Sequence, residues 1–321
     1  MALKVAIVGC GGIGCNDHAP AYAEVDGVEL VATCDLVEEK AKNLADRYGI
    51  PYFTNIDKML ESLNIDVVDV VTNEVYRPEP LMKALRAGKH VYCEKPLAGA
   101  KGQFNVEESD LIAGKQIMDT WRKSGKFFGI GFNYRTVSHA KAMKAAITAG
   151  EFGDPLMVNV FAHLCCWSHV IDLMRWFNGD VDELTAYMSP GELDRDRSAT
   201  LKFTNGSIGT LTGSCKTAWE APLMRIEYIG TKAMGMIEDL SGEFRMRVGD
   251  EPQKIVWAPP DGNSRTEFKQ SIKCGTIAFA TAVRDGKEPP VTGTDAYREL
   301  EIDAALPMSA ARKAPVKLEH Y

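Results

Sequence analysis

The chain has 321 residues, 45% hydrophobic and 25% charged, with a formal net charge of −7 at pH 7. That is a globular composition, long enough for two domains with separate cores, and it excludes disorder and fibrous repeats. The acidic balance and the lack of any dense Lys/Arg run argue against nucleic acid or a membrane surface as partner, leaving a small molecule or a second copy of the chain.

Leu3 to Val8 is an apolar run broken only by Lys4, and it ends at Gly9-Cys10-Gly11-Gly12-Ile13-Gly14. Alone, Gly-x-Gly-x-x-Gly is a weak signal. Here it follows a buried strand and opens a helical stretch to about Val25. A second strand, Glu29 to Cys34, then ends on Asp35, about twenty residues past the glycines, which is the full context of a dinucleotide site. Gly9 permits the tight turn, Gly11 lets the backbone approach a pyrophosphate, and Gly14 lets the helix pack closely on the strand, while the helix N-terminus offers donors to the anion. Asp35 is placed to take the adenosine ribose hydroxyls. With Leu36-Val37-Glu38-Glu39 behind it and no adjacent Arg, it would repel a 2′-phosphate, so NAD is expected rather than NADP.

The alternation continues with a helix over Val37 to Tyr48, a short strand at Pro51 to Phe53, a helix over Ile56 to Leu63, and a valine-rich strand at Asp66 to Thr72. A further helix, Pro78 to Ala87, has proline near its start and Gly88 at its end. Strand and helix in this rhythm give a parallel sheet covered on both faces. Next comes His90-Val91-Tyr92-Cys93-Glu94-Lys95-Pro96-Leu97, an apolar strand that stops on an acid, an amine and a proline. Proline restricts the residue before it, and the Lys95-Pro96 bond is of the kind that can be cis at modest cost. Ligands of parallel sheets bind outside the carboxyl ends of the strands, so Thr72, Glu94 and Lys95 point into the same crevice as the glycine turn.

From Gly131 the pattern changes. A helix is expected over Val137 to Ala149, a strand near Leu156 to Ala162, and a helix from about Ser168 to Phe177. Strands follow at Glu183 to Met188, Ala199 to Phe203, Ser207 to Cys215, Met224 to Ile229, Met234 to Glu238, Phe244 to Val248 and Ile255 to Trp257. Turn signals such as Asn205-Gly206 separate them, giving an antiparallel sheet with one face free for another subunit. Phe268 to Val283 and Ala296 to Ala311 have helical spacing. The eight cysteines include no Cys-x-x-Cys pair and read as reduced thiols, with no metal site expected. The amino terminus shows no leader pattern and no apolar run approaches the ~20 residues of a membrane span, so a cytoplasmic protein is expected.

These pieces resemble the glucose-fructose oxidoreductase, inositol dehydrogenase and MocA family of NAD(P)-dependent sugar oxidoreductases. The resemblance runs along nearly the whole chain. It rests on the glycine turn with His18 behind it, Ala87-Gly88-Lys89-His90-Val91-Tyr92-Cys93-Glu94-Lys95-Pro96, Gly131-Phe132-Asn133-Tyr134-Arg135, Gly150-Glu151-Phe152-Gly153, His169-Val170-Ile171-Asp172-Leu173-Met174-Arg175-Trp176 and Asn205-Gly206-Ser207-Ile208-Gly209. It implies an α/β Rossmann domain over 1–125 and an α+β domain over 126–321 with a large, mostly antiparallel open sheet. The closing helix, 295–312, is a candidate to pack back on the first domain. It also implies dimers or tetramers joined through that sheet.

By the same resemblance Lys95 addresses the substrate hydroxyl, Pro96 helps to fix it, and His169 assists proton transfer. The expected cofactor set is Gly9, Gly11, Gly12, Ile13, Gly14, Asp35, Thr72, Glu94 and Lys95; the expected substrate set is Lys95, Tyr134, Arg135, His169 and Asp172. Trp167, Trp176 and Trp219 could stack on a sugar, though core filling is the simpler use. Two departures stand out. The family's Thr-Pro-Asn-x-x-His is replaced by Thr72-Asn73-Glu74-Val75-Tyr76-Arg77, and Cys165 stands where the family often has an Asp four residues before the His. The segment from Gly153 to His169 is also short.

Oxidising a secondary alcohol needs a hydride acceptor and a base on the hydroxyl, with geometry ahead of pKa. The expected activity is therefore NAD-dependent oxidation of a hydroxyl, or reduction of the matching ketone, on a sugar, glycoside, cyclitol or related polyol. A non-catalytic nucleotide-binding regulator of the same fold, or a reductase of a non-sugar carbonyl or imine, stay open as alternatives.

Overall fold

The computed structural model describes residues 2–216, 222–259 and 264–321, the side chains of 264–266 apart; Trp219 lies outside them. The chain divides into two units, one of Met1–Gln103, Ser109–Phe132 and Ile272–Tyr297, the other of Phe104–Glu108, Asn133–Ser271 and Arg298–Tyr321.

The first unit carries strands β1 (Leu3–Val8), β2 (Val28–Cys34), β3 (Tyr52–Phe53), β4 (Val67–Val70), β5 (His90–Cys93) and β6 (Phe128–Ile130) in the order β3-β2-β1-β4-β5-β6. Every pairing is parallel. The order reverses between β1 and β4, the place where such sheets hold ligands. Helices α1 (Ala19–Ala23), α2 (Glu38–Tyr48), α3 (Ile56–Ser62), α4 (Pro78–Arg86) and α5 (Asp110–Ser124) connect or cover the strands. Asn55 caps α3, its Oδ1 accepting from the Asp57 and Lys58 N–H groups, and Gly49 closes α2 at a left-handed φ of 65°. Both caps are local, which is why these boundaries could be read from sequence.

Two elements of this unit escaped the sequence pattern. In α5 the buried positions are Asp110, Gly114, Ile117 and Met118, so an acid and a glycine occupy half of what should be an apolar stripe. Strand β6 is three residues long, too short for a period-two signal. Because β6 pairs with β5 through Val91, Tyr92 and Cys93, the first unit runs to Phe132, past the boundary at 125 expected from sequence. Residues 272–297 also belong to it: Phe279, Ala280 and Val283 pack into its core with Val5, Ile7 and Tyr22, and Phe279 stacks on Tyr92 with ring centroids 4.6 Å apart. These core residues lie on α8 (Ser264–Arg284). The closing helix α9 (Gly293–Arg312) is shared, with Gly293 to Tyr297 counted in the first unit and the rest in the second.

The second unit holds β7 (Pro155–His163), β8 (Val181–Met188), β9 (Arg197–Phe203), β10 (Ile208–Ser214), β11 (Met224–Gly230), β12 (Ala233–Glu238), β13 (Phe244–Val248), β14 (Lys254–Trp257) and β15 (Val316–Lys317), ordered β14-β13-β12-β11-β7-β10-β9-β8-β15. All neighbours are antiparallel except β7 and β10, which run parallel. The alternation is clean on β9, where Ala199, Leu201 and Phe203 are buried and Ser198, Thr200 and Lys202 are exposed. The buried face packs with α6 (Ser138–Thr148) and α7 (Trp167–Asn178) in one core that includes Trp167, Met143 and Leu173. Trp167 is 1% exposed; it fills the core, and its indole N–H donates to Asp303 at 2.8 Å. Burying a large apolar side chain contributes roughly 1.5–3 kcal/mol.

Candidate active site

At the β1 end of the first unit, Gly9 has φ +100°, and a Cβ there would meet the Val71 carbonyl carbon at 2.7 Å; at Gly14 it would meet the Gly9 carbonyl oxygen at 2.5 Å. Only glycine allows the turn and the close approach of the following helix. At Gly11 and Gly12, by contrast, a Cβ would meet nothing within 4 Å, so the turn opens onto empty space. Asp35 braces it: one carboxylate oxygen accepts from the Cys10 N–H at 2.8 Å and the other from the Val37 N–H at 2.9 Å. Ile13 and Leu36 stand exposed beside it. The Thr72 hydroxyl, at the end of β4, is buried without a hydrogen-bond partner. Open space over the glycines, a carboxylate with lone pairs to spare and an orphaned buried hydroxyl together fit a dinucleotide.

The helix after the turn starts as one π-helical turn, Gly14–His18, before α1. Pro20 has no N–H to return to Asn16, which suits a widened turn. The turn buries His18 completely. Its Nδ1 lies 2.7 Å from Asp69 on β4 and its Nε2 3.2 Å from Glu94 at the end of β5. Burial works against a charged imidazole, but the two carboxylates outweigh it and raise the His18 pKa to about 10. Glu94 likewise loses hydration, yet His18 first, then Lys95 and Arg77, bring it down to about 2. Sequence expected Glu94 at the cofactor; here its Oε1 faces His18 and its Oε2 accepts the Lys95 N–H at 3.2 Å. The buried thiols nearby are inert: burial, with Asp35 next, pushes Cys10 up to about 12 and Cys34 to about 11.

Lys95 follows directly, and the Lys95-Pro96 peptide is cis. Its Nζ donates to Gln103 Oε1 at 2.9 Å. Three side chains of the departing stretch Thr72–Arg77 are engaged. Asn73 Oδ1 accepts from the Val75 N–H at 3.0 Å, Glu74 Oε1 accepts from the Gln103 N–H at 2.7 Å, and the buried Arg77 donates to the Pro96 carbonyl and, at 2.5 Å, to the Thr72 carbonyl.

In the second unit, His169 sits on the first turn of α7, 3% exposed, with its ring stacked on that of Tyr134 at 4.0 Å and 10°. The Tyr134 hydroxyl is 3.2 Å from the Cys166 sulfur. Arg135 and Asp172 meet each other: Nε and Nη2 donate to the two carboxylate oxygens at 2.8 and 2.5 Å, with Asp172 wholly buried. Cys165 lies in a 3₁₀ turn, Leu164–Cys166, where its N–H donates to His163 Nδ1 at 3.2 Å. The Tyr134 ring lies face to face with that of His169. No local pattern announced that pairing, since the two rings come from separate elements. Arg135 lies over the Trp176 ring at 5.7 Å and Lys144 at 5.6 Å. His139 is a core histidine, its Nε2 bonded to the Asp239 carbonyl at 2.7 Å and its pKa pulled down to about 4 by burial. Among the described residues no cluster of three or more His, Cys, Asp or Glu could hold a metal, and no helix is long and apolar enough to cross a membrane.

Comparison with known proteins gives a consistent result. Residues 3–132 match the profile described as an oxidoreductase family with an NAD-binding Rossmann fold, and residues 162–235 match the GFO/IDH/MocA C-terminal domain. The scyllo-inositol 2-dehydrogenase (NAD(+)) of Bacillus subtilis is 25% identical, with 99% of this chain and 96% of the relative covered. The D-glucoside 3-dehydrogenase of Escherichia coli is 33% identical over 47% of this chain and 41% of its own length. Levoglucosan dehydrogenase, solved with NADH and levoglucosan, shares the fold with a TM-score of 0.83 at 20% identity, covering 100% of both chains. With both halves matched to one family, and the glycine turn of the first built to take a dinucleotide, the chain belongs to the GFO/IDH/MocA family of oxidoreductases with an NAD-binding Rossmann fold.

Proposed function

We propose that the protein oxidises a secondary hydroxyl of a cyclic polyol, a cyclitol or a glycoside, with NAD+ as cofactor. The observation that carries this reading is the position of Lys95, in the same unit as the glycine cradle, just past the end of β5, the strand next but one to β1, and at the same end of the sheet. Inositol and glucoside dehydrogenases among the relatives support the substrate class.

NAD+, when bound, supplies the hydride acceptor. The chain's own residues do the rest. Gly11 and Gly12 leave room for the pyrophosphate, Asp35 takes the ribose hydroxyls, and Thr72 offers its hydroxyl. Lys95 contacts the reacting hydroxyl and receives its proton; in the second unit, His169, stacked on Tyr134, is an imidazole suited to proton transfer in the neutral range. Arg135 and Asp172, having satisfied each other, contribute to the substrate site chiefly by holding Tyr134 and α7. The outer face of the nine-stranded sheet, with Phe161, Ile208, Met234 and Tyr187 on it, is the surface proposed to join copies of the chain.

The test is a screen of myo-inositol, scyllo-inositol and methyl glucosides with NAD+, following NADH absorbance. Turnover of at least one is expected, and Lys95→Ala should cut kcat by about 10²–10⁴-fold, the range of a lost acid–base group, while the NADH dissociation constant stays within a few-fold. Tight NADH binding with no turnover across the screen would favour a regulator of the same fold.

A further inference from the structure

The stretch Thr72–Arg77 departs from the family pattern, and in the first unit it has a definite use. Glu74 Oε1 accepts the Gln103 N–H at 2.7 Å. The Glu74 stem lies so close to Gly99 that a Cβ there would come within 3.1 Å of its Cγ. The same loop is tied at a second point, where the Ala100 N–H donates to Asp110 Oδ1 at 2.8 Å, and it closes on itself through the Gly102 N–H and the Gly99 carbonyl at 3.0 Å. A loop pinned in this way presents the Gln103 side chain to Lys95, whose Nζ donates to Oε1 at 2.9 Å. Arg77 meanwhile ties the Pro96 and Thr72 carbonyls, so the backbone behind Lys95 is fixed as well.

A lysine side chain has a flexible four-carbon stem and a point charge, and unheld it spreads over many rotamers. An amide oxygen is a suitable restraint. It accepts a hydrogen bond from the ammonium without placing a full negative charge beside it, whereas a carboxylate there would favour the charged form and hinder its use as a base. The Glu74 carboxylate acts one step back, on the loop backbone.

We propose that Gln103 is a positioning residue for Lys95 and that Glu74 holds Gln103 in place, so that the departure at Thr72–Arg77 and the loop 99–103 form one device for aiming the lysine. This rests on the reading of Lys95 as the group that meets the substrate hydroxyl, but the device can be tested apart from turnover. Lysines of the full-length protein are reductively methylated with a ¹³C label, and the Lys95 resonance, assigned by its loss in Lys95→Arg, is followed against pH. Gln103→Glu should raise its midpoint, because an adjacent carboxylate favours the charged ammonium. Gln103→Ala and Glu74→Ala should both move the resonance from its wild-type position, and the double variant should match Gln103→Ala alone. With whichever polyol of the screen turns over fastest, Gln103→Ala should lower kcat by up to about 10²-fold, the cost of a catalytic group misplaced by about 1 Å, at an unchanged NADH dissociation constant. In Gln103→Glu the limb of the pH profile that reports the base should move to higher pH. A Lys95 resonance that titrates identically in the wild type, Gln103→Ala and Gln103→Glu overturns the proposal. If no polyol turns over, the function proposed above falls, while the resonance still decides whether Gln103 holds Lys95.

Discussion

His18 is the residue whose role the structure alone discloses. It stands buried between Asp69 and Glu94, with the Tyr92 ring 5.6 Å away and Tyr22, another buried group, facing Asp69 from α1. Lys95 and Arg77 add to the field that holds Glu94 charged. A buried charge between two carboxylates is held by them and holds them, and removing one partner of such a set costs about 3–5 kcal/mol. Its folded pKa, about 10, lies above the ordinary 6.5, so its contribution is complete below pH 6.5 and is lost as pH rises towards 10. Glu94 runs the other way: at about 2 against an ordinary 4.5, its contribution is present above pH 4.5 and fades as pH falls towards 2. Urea unfolding of wild type and His18→Gln should therefore differ most between about pH 4.5 and 6.5 and converge towards pH 10. A gap that stays level from pH 6 to 10 would mean that His18 is neutral in the folded protein.

At the scale of elements, the nine-stranded sheet makes the clearest demand. Its inner face is closed by α6 and α7, while the outer face presents Phe161 on β7, Ile208 on β10 and Met234 on β12, with Ile208 47%, Met234 38% and Tyr187 on β8 79% exposed. β7 and β10 pair in register, Ile208 opposite Met157 and Thr212 opposite Phe161, so Phe161 and Ile208 stand on the same face about 13 Å apart along the strands. An apolar patch on an otherwise Ser- and Thr-rich face is what an association surface looks like. Light scattering should find a dimer or tetramer in the wild type, and Phe161→Asp with Ile208→Asp should shift it to the monomer while leaving far-UV circular dichroism unchanged. A wild type that is already monomeric at tens of micromolar would remove this surface from consideration. The helix α5 and strand β6 show the opposite case, elements whose own sequence is too mixed or too short to declare them and which form because β5 and the loop before α5 offer partners.

For the whole molecule, cofactor choice gives the most direct measurement. Asp35 ends β2 with its carboxylate beside the glycine turn, where a ribose can share it and a 2′-phosphate would be repelled. NAD+ at a hundred times its dissociation constant should stabilise the protein by about 2.7 kcal/mol, read as a rise in melting temperature, and NADP+ at the same concentration should give a much smaller rise. Equal shifts from the two would show that Asp35 does not discriminate. The nucleotide half was legible from sequence because its signals are local: alternating strand and helix periods, glycines at fixed spacing, an acid at the end of the second strand, and Glu94-Lys95-Pro96 closing another. The same holds for the hairpins of the second half, with their turn residues and period-two burial. What only tertiary structure decided are the pairings between distant segments: His18 with Asp69 and Glu94, Tyr134 with His169, Arg135 with Asp172, and Gln103 with Lys95. Each depends on strand order or on where a loop returns: the partners of the first three stand tens of residues apart, while Gln103, eight residues after Lys95, meets it only because the loop doubles back, and residues that look alike as isolated polar groups acquire their roles only when the fold brings them within hydrogen-bond or stacking distance.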